Sequence, residues 1–377
     1  MGAWPGKYAI GLTGNIATGK SVVRKMLEHL GAYGIDADAL GHRAIAKEAP
    51  GYKPVIEAFG RWILGEDEQI DRGRLGRVVF ADPQALAQLE KIVHPLVRGA
   101  VDILIRRARQ PVVVVEAIKL LESPLRDSMD AVWVAYAPLE LQLARLMQKR
   151  GMSEEAARQR IQAQPAQEEK LAVADVVIRN DGNFEYTWRQ VTVAWQARFV
   201  MEELPAAKPI AMPSGKLTVE KARPHQAAEI AVFINRMSDH QRRLSSDDIM
   251  AAFGEKAFML MKMDGKPVGI VGWQVENLVA RTDEVYLEPN LPLTEVMGSV
   301  LEEVENVSRD LQCEASLLFL PPSLSQQSSV WRSLGYEPRT IQELGVRAWQ
   351  EAAQESISNN ERLFFKQLRK DRVLRPV

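Results

Sequence analysis

Gly14-Asn15-Ile16-Ala17-Thr18-Gly19-Lys20-Ser21 decides the first half of this 377-residue chain, because it spells G-x-x-x-x-G-K-[ST]. Tyr8–Leu12 before it is a short β-rich run. Ser21–Leu30 after it spaces Val22, Val23, Met26, Leu27 and Leu30 along one helical face. A strand, a glycine-rich turn and a helix are the context in which this pattern cradles phosphate. Gly14 and Gly19 let the backbone curl, so that successive N–H groups point inward at phosphate oxygens. The helix opening near Gly19 adds the positive end of its dipole. Lys20 supplies a mobile charge for the β and γ phosphates, and the Ser21 hydroxyl is placed to ligate Mg²⁺. A chance match in a Gly-rich turn is the bland alternative, and the flanking strand and helix argue against it.

Ala32–Ile35 leads into Asp36-Ala37-Asp38 and a helical stretch, Ala39–Lys47. Pro54–Phe59 and Arg74–Phe80 read as short helices and Pro83–Arg109 as a long amphipathic one. Val112–Val115 is β-branched and too short for a helix, so it reads as a buried parallel strand, with Glu116 following. Ala131–Tyr136 is another strand, Leu139–Arg150 a helix stopped by Gly151, and Ser153 the cap of a helix to about Gln164. Asp175–Ile178 is a last short strand and Phe184–Val200 a closing helix. The alternation predicts an α/β fold with a parallel, doubly wound sheet. Ligands bind at the carboxyl ends of strands in such sheets, which puts Asp36 and Asp38 beside the cradle. A carboxylate there can take the proton of a hydroxyl attacking the γ-phosphoryl group, or hold Mg²⁺ through water. Capping the next helix is its alternative use.

Five segments in this order resemble the dephospho-coenzyme A kinases, from about Tyr8 to Phe199. They are IGLTGNIATGKS, GIDADALGHR, Val93-His94-Pro95-Leu96-Val97, the Arg145…Arg150 helix with Arg160 and Gln164 beyond it, and Ala174-Asp175-Val176-Val177-Ile178-Arg179-Asn180-Asp181-Gly182. The resemblance implies a P-loop kinase sheet with a helical lid. It also implies transfer of the ATP γ-phosphoryl group to the ribose 3′-hydroxyl of dephospho-CoA, the last step of CoA synthesis, with ATP and Mg²⁺ required. Asp38 would be the general base, with Lys20 and Arg150 as its catalytic companions. The implied ATP-binding set is Gly14, Asn15, Ile16, Ala17, Thr18, Gly19, Lys20, Ser21, Val22, Arg145, Arg150 and Asn180. Arg145 and Arg150 would belong to the lid, and Asn180 would lie near adenine. The implied substrate-binding set is Asp36, Asp38, His42, Arg43, His94, Glu116 and Lys119. A solvated helix face for the arginines, an Asn-Asp-Gly turn for Asn180 and a packed histidine for His94 are the plainer readings. Two departures stand out. Ile118-Lys119-Leu120-Leu121-Glu122 lacks the family's proline, so Glu116 and Lys119 are extra charges that either rearrange substrate contacts or form a local ion pair. His42 replaces a common arginine, with Arg43 next to it.

Composition shifts at Leu204–Ser214, where three prolines fall among eleven residues, and a linker over 204–215 is expected to separate 1–203 from 216–377. Beyond it, Leu217–Ala222, Phe258–Met263, Val268–Val275, Glu284–Leu287 and Ala315–Leu320 read as strands. The turn Asp264-Gly265 closes a hairpin. Pro224–Met237, a short helix capped at Ser246-Asp247-Asp248, Leu293–Leu311 and Ser328–Leu334 read as helices, and Glu361–Val377 as a basic peripheral tail. This α+β half, with a mainly antiparallel sheet, resembles the GNAT acetyltransferases through that hairpin, Val268-Gly269-Ile270-Val271-Gly272-Trp273, and the ending Val330-Trp331-Arg332-Ser333-Leu334-Gly335-Tyr336-Glu337. It departs where that family needs a glycine-rich pyrophosphate turn, because Pro292-Leu293-Thr294-Glu295-Val296-Met297-Gly298 stands there. Three readings stay open: an interaction or dimerisation module, a CoA sensor or channel, and an acetyltransferase with an altered site. For the whole chain, a different small-molecule P-loop kinase and a non-enzymatic nucleotide-binding regulator are the alternatives.

Bulk properties narrow the partners. A formal net charge of −1 gives no electrostatic argument for nucleic acid or an anionic membrane. The single cysteine, Cys313, excludes an internal disulfide framework and a cysteine-rich zinc site, and fits a reducing cytosol. The N-terminus has no signal-peptide pattern and no apolar run approaches a membrane span, so a soluble, cytoplasmic protein is expected. Oligomeric state is not legible.

Overall fold

The structure is a computed structural model that describes residues 2–199, 217–238, 242–289, 291–358 and 360–369, apart from the side chains of Phe80, Lys149 and Arg150. The expected linker at 204–215 lies outside the described residues.

The first half alternates as its sequence predicts: β1 (Tyr8–Thr13), α1 (Lys20–His29), β2 (Tyr33–Asp36), α2 (Ala37–Ala44), α3 (Tyr52–Phe59), α4 (Arg72–Ala81), α5 (Pro83–Arg107), β3 (Val112–Glu116), β4 (Ala131–Tyr136), α6 (Leu139–Arg150), α7 (Glu154–Gln162), α8 (Gln167–Ala172), β5 (Val176–Arg179) and α9 (Phe184–Arg198). The sheet has five strands in the order β2-β3-β1-β4-β5. β1 lies parallel to β3 and β4, and β2 parallel to β3. Every residue of β3 is buried, which is why its pattern is a continuous β-branched run rather than an alternation. Leu12 and Asp36 both pair with Glu116, so β1, β2 and β3 end level at one edge of the sheet. Gly151 ends α6 with a left-handed φ of 61°, and the Ser153 side chain accepts from Ala156 N to start α7. α2 begins earlier than its sequence suggests: Asp36 is its N-cap, accepting from Ala39 N at 2.8 Å, and Asp38 lies in its first turn.

By packing, the chain forms two units, one of Met1–Lys20 and Gly31–Val177, the other of Ser21–Leu30 and Ile178–Lys370. The second half supplies β6 (Leu217–Lys221), α10 (Ala227–Met237), α11 (Ser246–Ala252), β7 (Ala257–Met263), β8 (Lys266–Glu276), β9 (Val279–Leu287), α12 (Leu293–Asp310), β10 (Ala315–Leu320), α13 (Pro322–Ser325), α14 (Ser328–Ser333), β11 (Glu337–Pro338), α15 (Arg347–Ser356) and β12 (Arg362–Gln367). Its seven-stranded sheet runs β11-β12-β10-β9-β8-β7-β6. Among the described residues its neighbouring strands pair antiparallel except β9 with β10. α12 covers one face, burying Val296, Met297, Val300, Leu301 and Val304 against Met259, Val271, Trp273 and Phe364. Among the described residues no helix is long and apolar enough to cross a membrane.

The basic tail is a correction. Arg362–Gln367 is a sheet strand, antiparallel to β10. Phe364 is fully buried, and the Lys366 ammonium meets Glu305 at 2.7 Å. Positive charges disguised a strand whose adjacent Leu363 and Phe364 are both buried, each in a different core cluster. Phe364→Ala is therefore expected to cost about 3–5 kcal/mol in urea unfolding. A loss under about 1 kcal/mol would show a peripheral tail after all.

Candidate active site

β1 leaves the sheet at Thr13 and the chain turns at Gly14, whose φ is +150°. A Cβ at Gly14 would stand 2.3 Å from the Ala135 carbonyl oxygen, so glycine is required there on space as well as on backbone angle. Ala17 and Gly19 then take left-handed φ values of 59° and 91°. This alternation of hand is what turns consecutive N–H groups toward one point, the geometry of an anion nest. Side chains hold the curl from behind. Thr18 Oγ1 donates to Asn15 O at 2.8 Å, and Asn15 Nδ2 donates to Pro165 O at 2.9 Å. Gln164 Oε1 accepts from Ile16 N at 2.8 Å, and Arg145 Nη1 donates to Ala17 O at 3.1 Å. Ile16 also packs with Leu146 of α6 and Ala157 of α7. α6, α7 and the turn after α7 thus hold the loop at both its polar and its apolar residues. Lys20 is buried, and its ammonium donates to Asn15 O at 3.2 Å. Ser21 follows in the first turn of α1 and is exposed.

The acids at the sheet edge divide in role. Asp36 is occupied as a helix cap, as the plainer reading held. Asp38 is half-buried, and its Oδ2 accepts from Ile118 N at 3.1 Å. Burial raises the Asp38 carboxyl above its ordinary range. The Lys20 charge and the Ile118 N–H pull it back, and the neighbouring Glu116 carboxylate adds to the rise. A raised carboxyl close to the cradle lysine has the character of a proton acceptor. Glu116 is 4% exposed at the end of β3. Lys119 takes another course: its ammonium meets Glu90 of α5 at 2.6 Å. His42 is exposed and Arg43 half-buried on the last turn of α2. The α2 glycine Gly41 packs toward Val93 and Val97 of α5, which brings the half-buried His94 segment alongside α2. Asn180 belongs to the other unit, where it is buried and accepts from Thr187 Oγ1 at 3.2 Å. The side chain of Arg150 lies outside the described residues.

Sequence reading missed Lys170. It is 2% exposed on α8, and its ammonium donates to Ile118 O at 2.9 Å. Its signal in the sequence is one more lysine in a charged helix, Gln167–Ala172, with nothing to mark it as buried.

The family description CoaE: Dephospho-CoA kinase matches residues 8–185. The dephospho-CoA kinase of Geobacter sulfurreducens is 42% identical over 193 residues, which are 50% of this chain and 98% of that protein. The chain belongs to the dephospho-CoA kinase family. The kinase of Geobacter metallireducens is 43% identical over 192 residues, again 50% of this chain and 96% of the relative. Among solved structures, TT1252 from Thermus thermophilus is 33% identical and covers 51% of this chain and 98% of itself at a TM-score of 0.47. Over the second half, an acetyltransferase of the GNAT family from Staphylococcus aureus Mu50 is 11% identical and covers 41% of this chain and 99% of itself at a TM-score of 0.33.

Gly14→Ala tests the cradle. The strain of the added Cβ, about 1–3 kcal/mol, corresponds to a roughly tenfold to hundredfold weaker ATP dissociation constant by calorimetry. Binding within about twofold of wild type would show that the loop tolerates a side chain and does not hold phosphate as described.

Proposed function

We propose that this protein transfers the γ-phosphoryl group of ATP to the ribose 3′-hydroxyl of dephospho-CoA. The single observation that carries the reading is that the Asp38 carboxylate accepts from Ile118, whose carbonyl accepts from Thr13 at the entrance to the cradle, in a chain that matches its family relatives over nearly their whole length. The nest of Gly14–Lys20 binds the phosphates and fixes the γ-phosphorus. Asp38 takes the proton as the hydroxyl oxygen bonds to that phosphorus and the bond to the β-γ bridging oxygen breaks, leaving ADP. Lys20 and the lid arginines Arg145 and Arg150 balance charge spread over the transferring oxygens, and lid closure excludes water. Ser21 is the residue to hold Mg²⁺, which supplies neutralisation of the phosphate charge. His42, Arg43, His94 and Glu116 line the acceptor side in this reading. Lys119 is dropped from it in favour of its ion pair with Glu90.

For the second half, an intramolecular docking module is the reading best supported. Ser21–Leu30 packs within the same unit as Ile178–Lys370. Lys25 Nζ donates to Val275 O at 2.9 Å, and His29 Nε2 donates to Phe253 O, at the end of α11, at 2.7 Å. Phe253 and Trp188 also stand edge-on to the His29 ring. An acyl-CoA site lacks comparable support. α12 opens on Pro292 with no glycine pair, and Glu295 in its first turn opposes phosphate.

Two measurements check these readings. ADP release by wild type is expected to depend on dephospho-CoA, to fall by about 10²–10⁴ in Asp38→Asn and to be lost in Lys20→Ala. Wild-type release that ignores dephospho-CoA would refute the kinase reading, and a substrate panel would then find the true acceptor. The docking module has a pH signature. Burial, and then the Lys221 charge, lower His29 to about 4, so the folded state keeps it neutral while the unfolded chain protonates from its ordinary 6.5. Stability attributable to His29 is full above pH 6.5 and is lost as pH falls toward about 4. Burial raises Glu28, but Lys25 and Arg24 outweigh it and hold it at about 2, so a second loss runs from its ordinary 4.5 down to about 2. His29→Gln is expected to flatten the first limb in thermal melts. An unchanged slope would mean that His29 is not packed in this way.

A further inference from the structure

Residue 118 is tied at both of its backbone polar groups. Its N–H goes to Asp38 Oδ2 at 3.1 Å. Its carbonyl accepts from Lys170 Nζ at 2.9 Å and from Thr13 Oγ1 at 3.1 Å. Thr13 ends β1 and leads into the cradle, Asp38 opens α2, and Lys170 comes from α8, beyond the lid helices. Three separate elements therefore meet on one residue of the loop after β3. Lysine is almost never fully buried without a partner, because its charge must be taken out of water. Here the ammonium fills the second acceptor position of the Ile118 carbonyl beside Thr13, with the Glu122, Asp38 and Glu169 carboxylates facing its charge, so it ties the loop and the acid to one point.

We propose that Lys170 is a positioning residue for phosphoryl transfer: by holding the Ile118 carbonyl it fixes the loop that aims the Ile118 N–H at the Asp38 carboxylate. The proposal rests on the kinase reading above. Lys170 does not touch the reacting atoms in this account. It acts on Asp38 in two ways, through the orientation of residue 118 and through its own charge. The charged groups facing Asp38 are Lys20, Glu116 and Lys170. Those facing Lys170 are Glu122, Lys20, Asp38 and Glu169. Among these, Lys20 and Lys170 favour the ionised carboxylate and Glu116 opposes it.

Removing Lys170 should therefore loosen the base and raise its pKa. The test is the pH profile of turnover by the full chain with ATP and dephospho-CoA. Lys170→Met is expected to lower kcat about tenfold, as loss of an outer supporting contact does, with KM for ATP changed less than about twofold. Its acidic limb should move up by about one pH unit. Lys170→Arg keeps both charge and donor and should restore the limb. In an Asp38→Asn background, where no carboxylate remains to be aimed, Lys170→Met should cost less than about twofold, the non-additivity of residues that act as a unit. If Lys170→Met does not fold, Lys170→Gln, neutral but still a donor, carries the same test of the limb. An acidic limb that stays at the wild-type pH overturns the proposal whether or not kcat falls, and so does full additivity with Asp38→Asn. Wild type without dephospho-CoA-dependent turnover overturns the kinase reading itself and this proposal with it, whereas a turning-over wild type with an unmoved limb overturns this proposal alone.

Discussion

A backbone with no room for a side chain governs this site. β1 runs buried through the middle of the first sheet, and where it stops the next Cβ would collide with the Ala135 carbonyl of the neighbouring strand. Only glycine can turn there, and the turn sends the chain into alternating right- and left-handed backbone that gathers N–H groups. Asn15, Thr18, Arg145 and Gln164 then hold the curl in place. In the proposed reaction the donors are set before phosphate arrives, so binding and reaction would need little reorganisation of the loop. The acids follow from the same sheet. Because β1, β2 and β3 end level, Thr13, Asp36 and Glu116 share an edge, and Asp38 sits one turn beyond it.

Much of this was legible locally. The cradle motif, the buried valine strand, Gly151 as a stop and Ser153 as a cap each depend on neighbours in sequence, and each formed as read. The residues alone left Asp36 and Asp38 interchangeable, because a capping carboxylate and a base have the same residue type and nearly the same position, and only the family resemblance singled out Asp38. The structure separates them by what they accept: the α2 backbone for Asp36, the Ile118 N–H for Asp38. Lys170 could not be found from sequence, since its contact joins residues 52 apart and that of Asp38 joins residues 80 apart. Lys119 stood between a substrate contact and a local ion pair, and its partner Glu90, 29 residues back on α5, is not one that nearness in sequence to Glu116 suggests.

The second half was read less completely, and charge is the common reason. Arg281 breaks the apolar run of Val279–Asp283, and only the end of β9, Glu284–Leu287, was recognised as strand. In the fold Arg281 is 3% exposed and paired with Glu276 and Glu355, the second of them 74 residues away. Arg362 and Lys366 hid β12 in the same way, with Lys366 meeting a nearly buried Glu305. A buried charge is affordable only with a partner, and the partner is supplied by tertiary structure. The Ser21–Leu30 helix shows the same rule, since Glu28 is held between Arg24 and Lys25 while Lys25 also reaches Val275.

The central claim is that the cradle and Asp38 direct one phosphoryl group to one hydroxyl. Phosphorus–proton correlation NMR of the product formed from ATP and dephospho-CoA tests it most directly. The account expects a single new phosphomonoester coupled to the ribose 3′ proton and formed together with ADP. A product phosphorylated at another oxygen, or ADP accompanied only by inorganic phosphate, would contradict it.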